Sequence, residues 1–187
     1  MKQIFLLMLF VCCISWGQET EFNFTKDGFT DFVVTECPGK TQSELYKKSI
    51  DWIAVTYNNP KEVLKAQIEN DYIRFEGSSK GLVTISSLMT FSYPTTYQVE
   101  VSFKDGKYKF DVVEVKYYIA PSQYGSGGWY NFDIDNTSVA NYYNKKGEIK
   151  GTFKRMPEAL TSFFNRLNNE MKTFFISESI PSKKNDW

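Results

Sequence analysis

The sequence predicts an α+β domain in the order strand, helix, four strands, helix. Three observations predict it: a capping box at the head of one amphipathic helix, two alternating apolar runs folded about turn signals, and a broad apolar stripe at helical spacing near the C-terminus.

The elements follow in order. Phe29 to Cys37 carries Phe32, Val33 and Val34, a β-rich stretch stopped by Pro38-Gly39. Thr41 and Glu44 then form a Thr-x-x-Glu box whose side chains satisfy each other's orphan backbone N–H groups. Behind it Tyr46, Ile50, Ile53 and Tyr57 recur at helical spacing, with Leu45 and Ala54 widening the stripe, until Asn58-Asn59-Pro60 ends the helix.

A first hairpin is expected about a two-residue Asn70-Asp71 turn, setting Ile68 on Ile73, Ala66 on Phe75, Lys65 on Glu76 and Gln67 on Arg74. A second turns at Asp105-Gly106, with Phe103 on Tyr108, Val101 on Phe110 and Val99 on Val112. That register also places Glu100 opposite Asp111. After Val112 the apolar phase moves to Val113, Val115, Tyr117 and Ile119, a slip that marks a β-bulge. Between the hairpins, Leu82 to Ile85 and Leu88 to Phe91 extend the third strand. The last helix runs from about Pro157 to Ile176, with Leu160, Phe163, Phe164, Leu167, Met171, Phe174 and Phe175 on one side.

The ends read differently. Lys2 precedes an uncharged run from Ile4 to Ile14, and Ser15 and Gly17 offer small side chains before a cut. Residues 1–17 are therefore expected to be a cleavable signal peptide, and the protein periplasmic or extracellular. The alternative is an envelope lipoprotein anchored at Cys12, with Leu9 three residues before it. Val11 is too bulky for the position ahead of the cysteine, so that anchor is not the expected one. Residues 18–28 read as a flexible lead-in, 29–176 as one domain with an insertion over 121–151, and 177–187 as a polar tail. No stretch is long enough for a membrane span, which needs about 20 apolar residues.

The succession Pro38-Gly39-Lys40, Glu44-Leu45-Tyr46, Trp52-Ile53 and Lys104-Asp105-Gly106-Lys107-Tyr108 resembles a domain-of-unknown-function family of secreted Bacteroidota proteins with a TATA-binding-protein-like (TBP-like) fold. The resemblance spans about Phe29 to Ile119 and extends to the last helix by pattern. It implies a curved antiparallel sheet with the helices packed on one face. It implies no activity and no catalytic residue.

Composition removes several chemistries. Histidine is absent, and with it Ser–His–Asp and Cys–His schemes and the commonest zinc and copper ligand. Beyond the signal only Cys37 remains, which makes an internal disulfide impossible and favours a packed thiol. Acidic and basic residues balance at 22 each, giving no electrostatic reason to bind nucleic acid. Asp133 and Asp135 lie close together but read as loop formers rather than a carboxylate pair. The stretch from Asp133 to Thr137 begins like a calcium loop, then lacks the glycine and the bidentate Glu. Gly125 to Gly128 lacks the Lys-Ser/Thr ending of a phosphate cradle. No catalytic residue, metal site or cofactor is expected.

Aromatic residues remain, at 17% of the chain. Tyr124, Trp129, Tyr130 and Phe132 of the insertion are the candidate binding residues, either as hot spots for a protein partner or as platforms for a small ligand or glycan. The competing reading places these rings over the sheet to complete the core. The function expected is a non-enzymatic interaction or envelope accessory module.

Overall fold

The computed structural model describes residues 20–123, 125–134 and 139–177. The expected signal peptide, its expected cut site and Cys12 lie outside the described residues, as do Tyr124, Asp135 and all of the tail after Ser177. Two short strands, β1 (Phe24–Thr25) and β2 (Gly28–Phe29), precede β3 (Phe32–Glu36), α1 (Gln42–Thr56) and the single turn α2 (Pro60–Val63). Then come β4 (Leu64–Ile68), β5 (Tyr72–Ser86), β6 (Thr90–Lys104), β7 (Lys107–Ile119), β8 (Gly128–Asn131) and α3 (Met156–Ile176). The main sheet is antiparallel in the order β3-β7-β6-β5-β4, with β8 also paired to β7.

The helices lie on one face, and the core forms between them and the inward residues of the sheet. These are Val33, Ile73, Phe75, Val99, Val101, Phe103, Tyr108, Phe110 and Val112, all buried. Helix α1 starts as its sequence dictates, with both halves of the Thr41–Glu44 capping box in place. The Asp105 carboxylate adds a third cap, accepting from the Gln42 N–H at 2.8 Å. The buried face of α1 is Leu45, Ser49, Trp52 and Ile53, rotated from the expected stripe; Ala54 is exposed. Ser49 can be buried because its hydroxyl donates to the Tyr46 carbonyl at 2.6 Å.

Helix α3 buries the expected stripe with Phe163 at its margin, and adds a polar contact that the stripe does not announce. Asn168 accepts from the Tyr108 hydroxyl at 2.7 Å and donates to Thr35 at 2.9 Å, tying α3 to β7 and β3 inside the core. One turn earlier Asn165 accepts from the Phe22 N–H at 2.7 Å and donates to its carbonyl at 3.0 Å. The segment expected to be a flexible lead-in is therefore docked from Phe22 onward. Its ring is fully buried, stacked on Phe29 with centroids 5.1 Å apart.

The second hairpin has the expected register at every pair, including Glu100 opposite Asp111. The bulge falls where the phase slip puts it: Val99 pairs with Val112 and Gln98 with Glu114, leaving Val113 over. The first hairpin departs. Its turn spans residues 69–71, Asn70 takes a left-handed φ of 63°, and the Asp71 N–H donates to the Ile68 carbonyl at 3.0 Å. Ile68 therefore faces Tyr72, one position off, and is exposed. A bulge between Leu64 and Ala66 brings Lys65 back to Glu76 at 3.2 Å. Strand β4 is an edge whose side chains are mostly exposed, so burial does not select its register and the turn does.

Gly77 supports the sheet by lacking a side chain. It pairs with Tyr97, whose ring crosses so close that an added Cβ would lie 2.2 Å from the hydroxyl oxygen. Gly77→Ala is expected to cost about 1–3 kcal/mol by overpacking, and less in a Tyr97→Leu background, as measured by urea unfolding of the double-mutant cycle. Asn168→Ala strands a buried hydroxyl and is expected to cost about 1–3 kcal/mol in the same measurement.

Candidate functional site

Strands β5 and β6 outrun β4, and β7 outruns β3. With β8 their distal ends form a wing, whose inner part is still buried in the core at Leu82, Val83 and Thr95 and whose tip at Leu88 and Met89 is exposed. Tyr130 pairs with Tyr117, and Trp129 with Tyr118. Neighbours on a strand point to opposite faces, so the two candidate rings separate. Tyr130, 45% exposed, extends a row on the helix side. There the Tyr93 and Tyr117 centroids are 5.6 Å apart, and those of Tyr117 and Tyr130 are 5.9 Å apart. Trp129, 52% exposed, lies on the other face against Tyr118, the rings inclined by 54°.

Phe132 is a core residue. It is 6% exposed, stacked on Tyr142 at 5.3 Å, and its N–H donates to the Val115 carbonyl at 2.8 Å. It completes the core as the competing reading of these rings supposed, and cannot contact a partner. Tyr124 lies outside the described residues.

The sequence reading missed the other end of the wing. The β5–β6 turn carries Leu88, Met89 and Phe91, all exposed, at the tip of two 15-residue strands. These residues register as strand-forming, and the only sign of a tip is the Ser86-Ser87 pair before them. Five of the nine exposed large hydrophobic side chains among the described residues belong to the wing: Leu88, Met89, Phe91, Trp129 and Tyr130.

The open face of the sheet is polar by contrast. Lys65–Glu76, Arg74–Glu100, Lys109–Asp111 and Lys116–Glu114 are ion pairs spread across it, the last at 2.6 Å. All eight side chains are partly exposed, so the pairs add little stability and leave a hydrated surface.

A cleft of about 390 Å³ opens where β3 ends and β8 begins along β7. It is lined by Asp31, Asp111, Val113, Glu114 and Asp133 among others. Asp111 and Glu114 are spent on lysines, and no group of three metal-ligating side chains occurs among the described residues. Asp135, the proposed companion of Asp133, lies outside the described residues. Cys37 is fully buried, and burial pushes its thiol pKa up, so its thiolate is disfavoured. The buried phenols are structural. Tyr57 and Tyr97 meet at 3.2 Å, Tyr108 bonds Asn168, and burial raises the pKa of all three. Among the described residues no helix is long and apolar enough to cross a membrane.

Fold and surface together define a class: a helix-backed antiparallel sheet with an apolar wing and no assembled catalytic group among the described residues. Residues 32–118 match the model of a domain of unknown function (DUF4468) with TBP-like fold, the family type that the sequence resembles. A structure of a DUF4468 family protein from Bacteroides ovatus is similar at 14% identity and a TM-score of 0.60, covering 81% of this chain and 88% of that one. A TBP-like protein from Parabacteroides distasonis is similar at 14% identity and a TM-score of 0.51, over 77% and 90% of the two chains. At that identity the likeness establishes the fold. No curated protein matches.

A raised phenol pKa means that the folded state keeps its proton where the unfolded chain releases it. The stabilisation is complete below the unfolded phenol pKa of about 10 and is lost as pH rises above it. Melting temperature is therefore expected to fall steeply above about pH 10, and Tyr108→Phe, which cannot ionise, to flatten part of that fall.

Proposed function

We propose that this chain is an exported, non-enzymatic binding module that engages a protein partner through its distal wing, in the periplasm or outside the cell. The observation that carries this reading is the gathering of exposed apolar side chains at the wing while the central open face is covered by ion pairs. Exposed apolar clusters mark interaction sites, and Trp, Tyr, Phe and Met are enriched in interface cores. The N-terminal Lys2 and the apolar run to Ile14 support export.

Small-ligand or glycan binding by the insertion is the second reading. A flat platform there has less support, because Trp129 and Tyr130 point to opposite faces and the Tyr118–Trp129 rings are inclined by 54°.

A photo-crosslinking residue placed at Leu88 and, separately, at Trp129 is expected to give one adduct mass common to both sites, and no such adduct from Ile68, which is exposed on the opposite edge of the sheet. Trp129→Ala should abolish the Leu88 adduct with an unchanged melting temperature. Adducts from Ile68 alone, or none from the wing, would sink the proposal. Mass spectrometry of the mature N-terminus is expected to find Gln18 first. A lipid on Cys12 would instead make the protein an envelope lipoprotein.

A further inference from the structure

The open face carries two cross-strand pairs of like charge, and the structure compensates only one of them. Glu100 stands opposite Asp111. Each has its own cation: Arg74 Nε donates to Glu100 at 2.9 Å, and the Lys109 ammonium lies 3.0 Å from Asp111. At the turn end of the same hairpin, Lys104 stands opposite Lys107. Neither of these ammoniums has an ion pair or hydrogen bond among the described residues, although Glu36 is the register partner of Lys107 on β3. Like charges directly opposite each other weaken a strand pair, and a bound anion would remove the repulsion.

A hollow of about 290 Å³ lies at this place, lined by Val34, Ser102, Lys104, Lys107, Tyr108 and Lys109. That is close to the lower end of small-molecule sites, about 300–1,000 Å³. Val34 and the lysine stems give it an apolar wall, the ammoniums a cationic rim. The turn that joins the two lysines is held in place. Asp105 caps α1, the Gly106 carbonyl accepts from the Cys37 N–H at 2.7 Å, and the Gly106 N–H donates to the Lys40 carbonyl at 2.8 Å.

We propose that this hollow binds the oxyanion of a small organic phosphate or sulfate ester. Lys104 and Lys107 flank the charge, the Ser102 hydroxyl donates to it, and the body of the ester rests on Val34. A compact ligand fits better than a polyanion. Lys65, Arg74, Lys109 and Lys116 are already matched by Glu76, Glu100, Asp111 and Glu114, so the face offers no cationic track. The site is separate from the wing and does not depend on its role.

The test titrates phenyl phosphate, and in parallel phenyl sulfate, into the purified protein at constant ionic strength maintained with sodium chloride. Amide ¹H–¹⁵N shifts and melting temperature are followed. Saturable shifts at Ser102, Lys104 and Lys107 with a rise in melting temperature are expected, and the tighter ester names the oxyanion. The double variant Lys104→Gln/Lys107→Gln should bind at least about tenfold more weakly. Free of ligand at low salt it should melt higher than the parent, because the repulsion is gone. Lys145→Gln/Lys146→Gln, altered at adjacent lysines elsewhere on the surface, should change neither result. Parent shifts no larger than sodium chloride alone produces, or undiminished binding by the double variant, would overturn the assignment.

Discussion

One extra residue in β7 organises the sheet. Val113 has no partner on β6, so Val112 and Val115 both face the helices and the inward row Phe110, Val112, Val115, Tyr117 is unbroken across the bulge. The outer edge of β7 is divided at the same point, residues 107–111 to β3 and 116–119 to β8. Without the bulge the phase of β7 would invert beyond Val112. Tyr117 would turn to the open face, and the tyrosine row across Tyr93, Tyr117 and Tyr130 could not form. The wing and the core are thus one sheet, kept in phase by a single inserted residue.

Helix α3 holds this sheet in place with polar as well as apolar contacts. Asn165 and Asn168 are three residues apart and so share one side of the helix. One grips the Phe22 backbone in both directions, the other joins Tyr108 to Thr35. Apolar packing tolerates small rotations of a helix, whereas paired hydrogen bonds in the interior do not. The two asparagines fix the depth and rotation at which the apolar stripe meets the sheet.

What could be read from the sequence followed how strongly each local signal was determined. The Asp105-Gly106 hairpin was legible to the residue because turn chemistry and two buried arms agree. So was the α1 start, where both partners of the box are three residues apart in the chain. The first hairpin was not, because β4 is an exposed edge and only the left-handed Asn70 sets its register. In α1 the periodicity gave the helix but not its rotation, since the sheet selects Trp52 and Ser49 over Ala54. At the candidate site, an aromatic-rich insertion was visible while its geometry was not. Pairing with β7 alone sends Trp129 and Tyr130 apart and Phe132 inward. The exposed tip at Leu88 and Met89 had the same apolar signature as a core strand. Exposure there follows from how far two paired strands extend, which no window of sequence records.

The position of Cys37 has a consequence for time rather than for chemistry. Its side chain has no accessible surface, and its N–H, just past the end of β3, donates to the Gly106 carbonyl of the docked turn. A thiol reagent can reach it only when that end of the core or the whole domain opens. The rate of its modification is therefore a clock for the openings of the native state, built into the chain at a single atom.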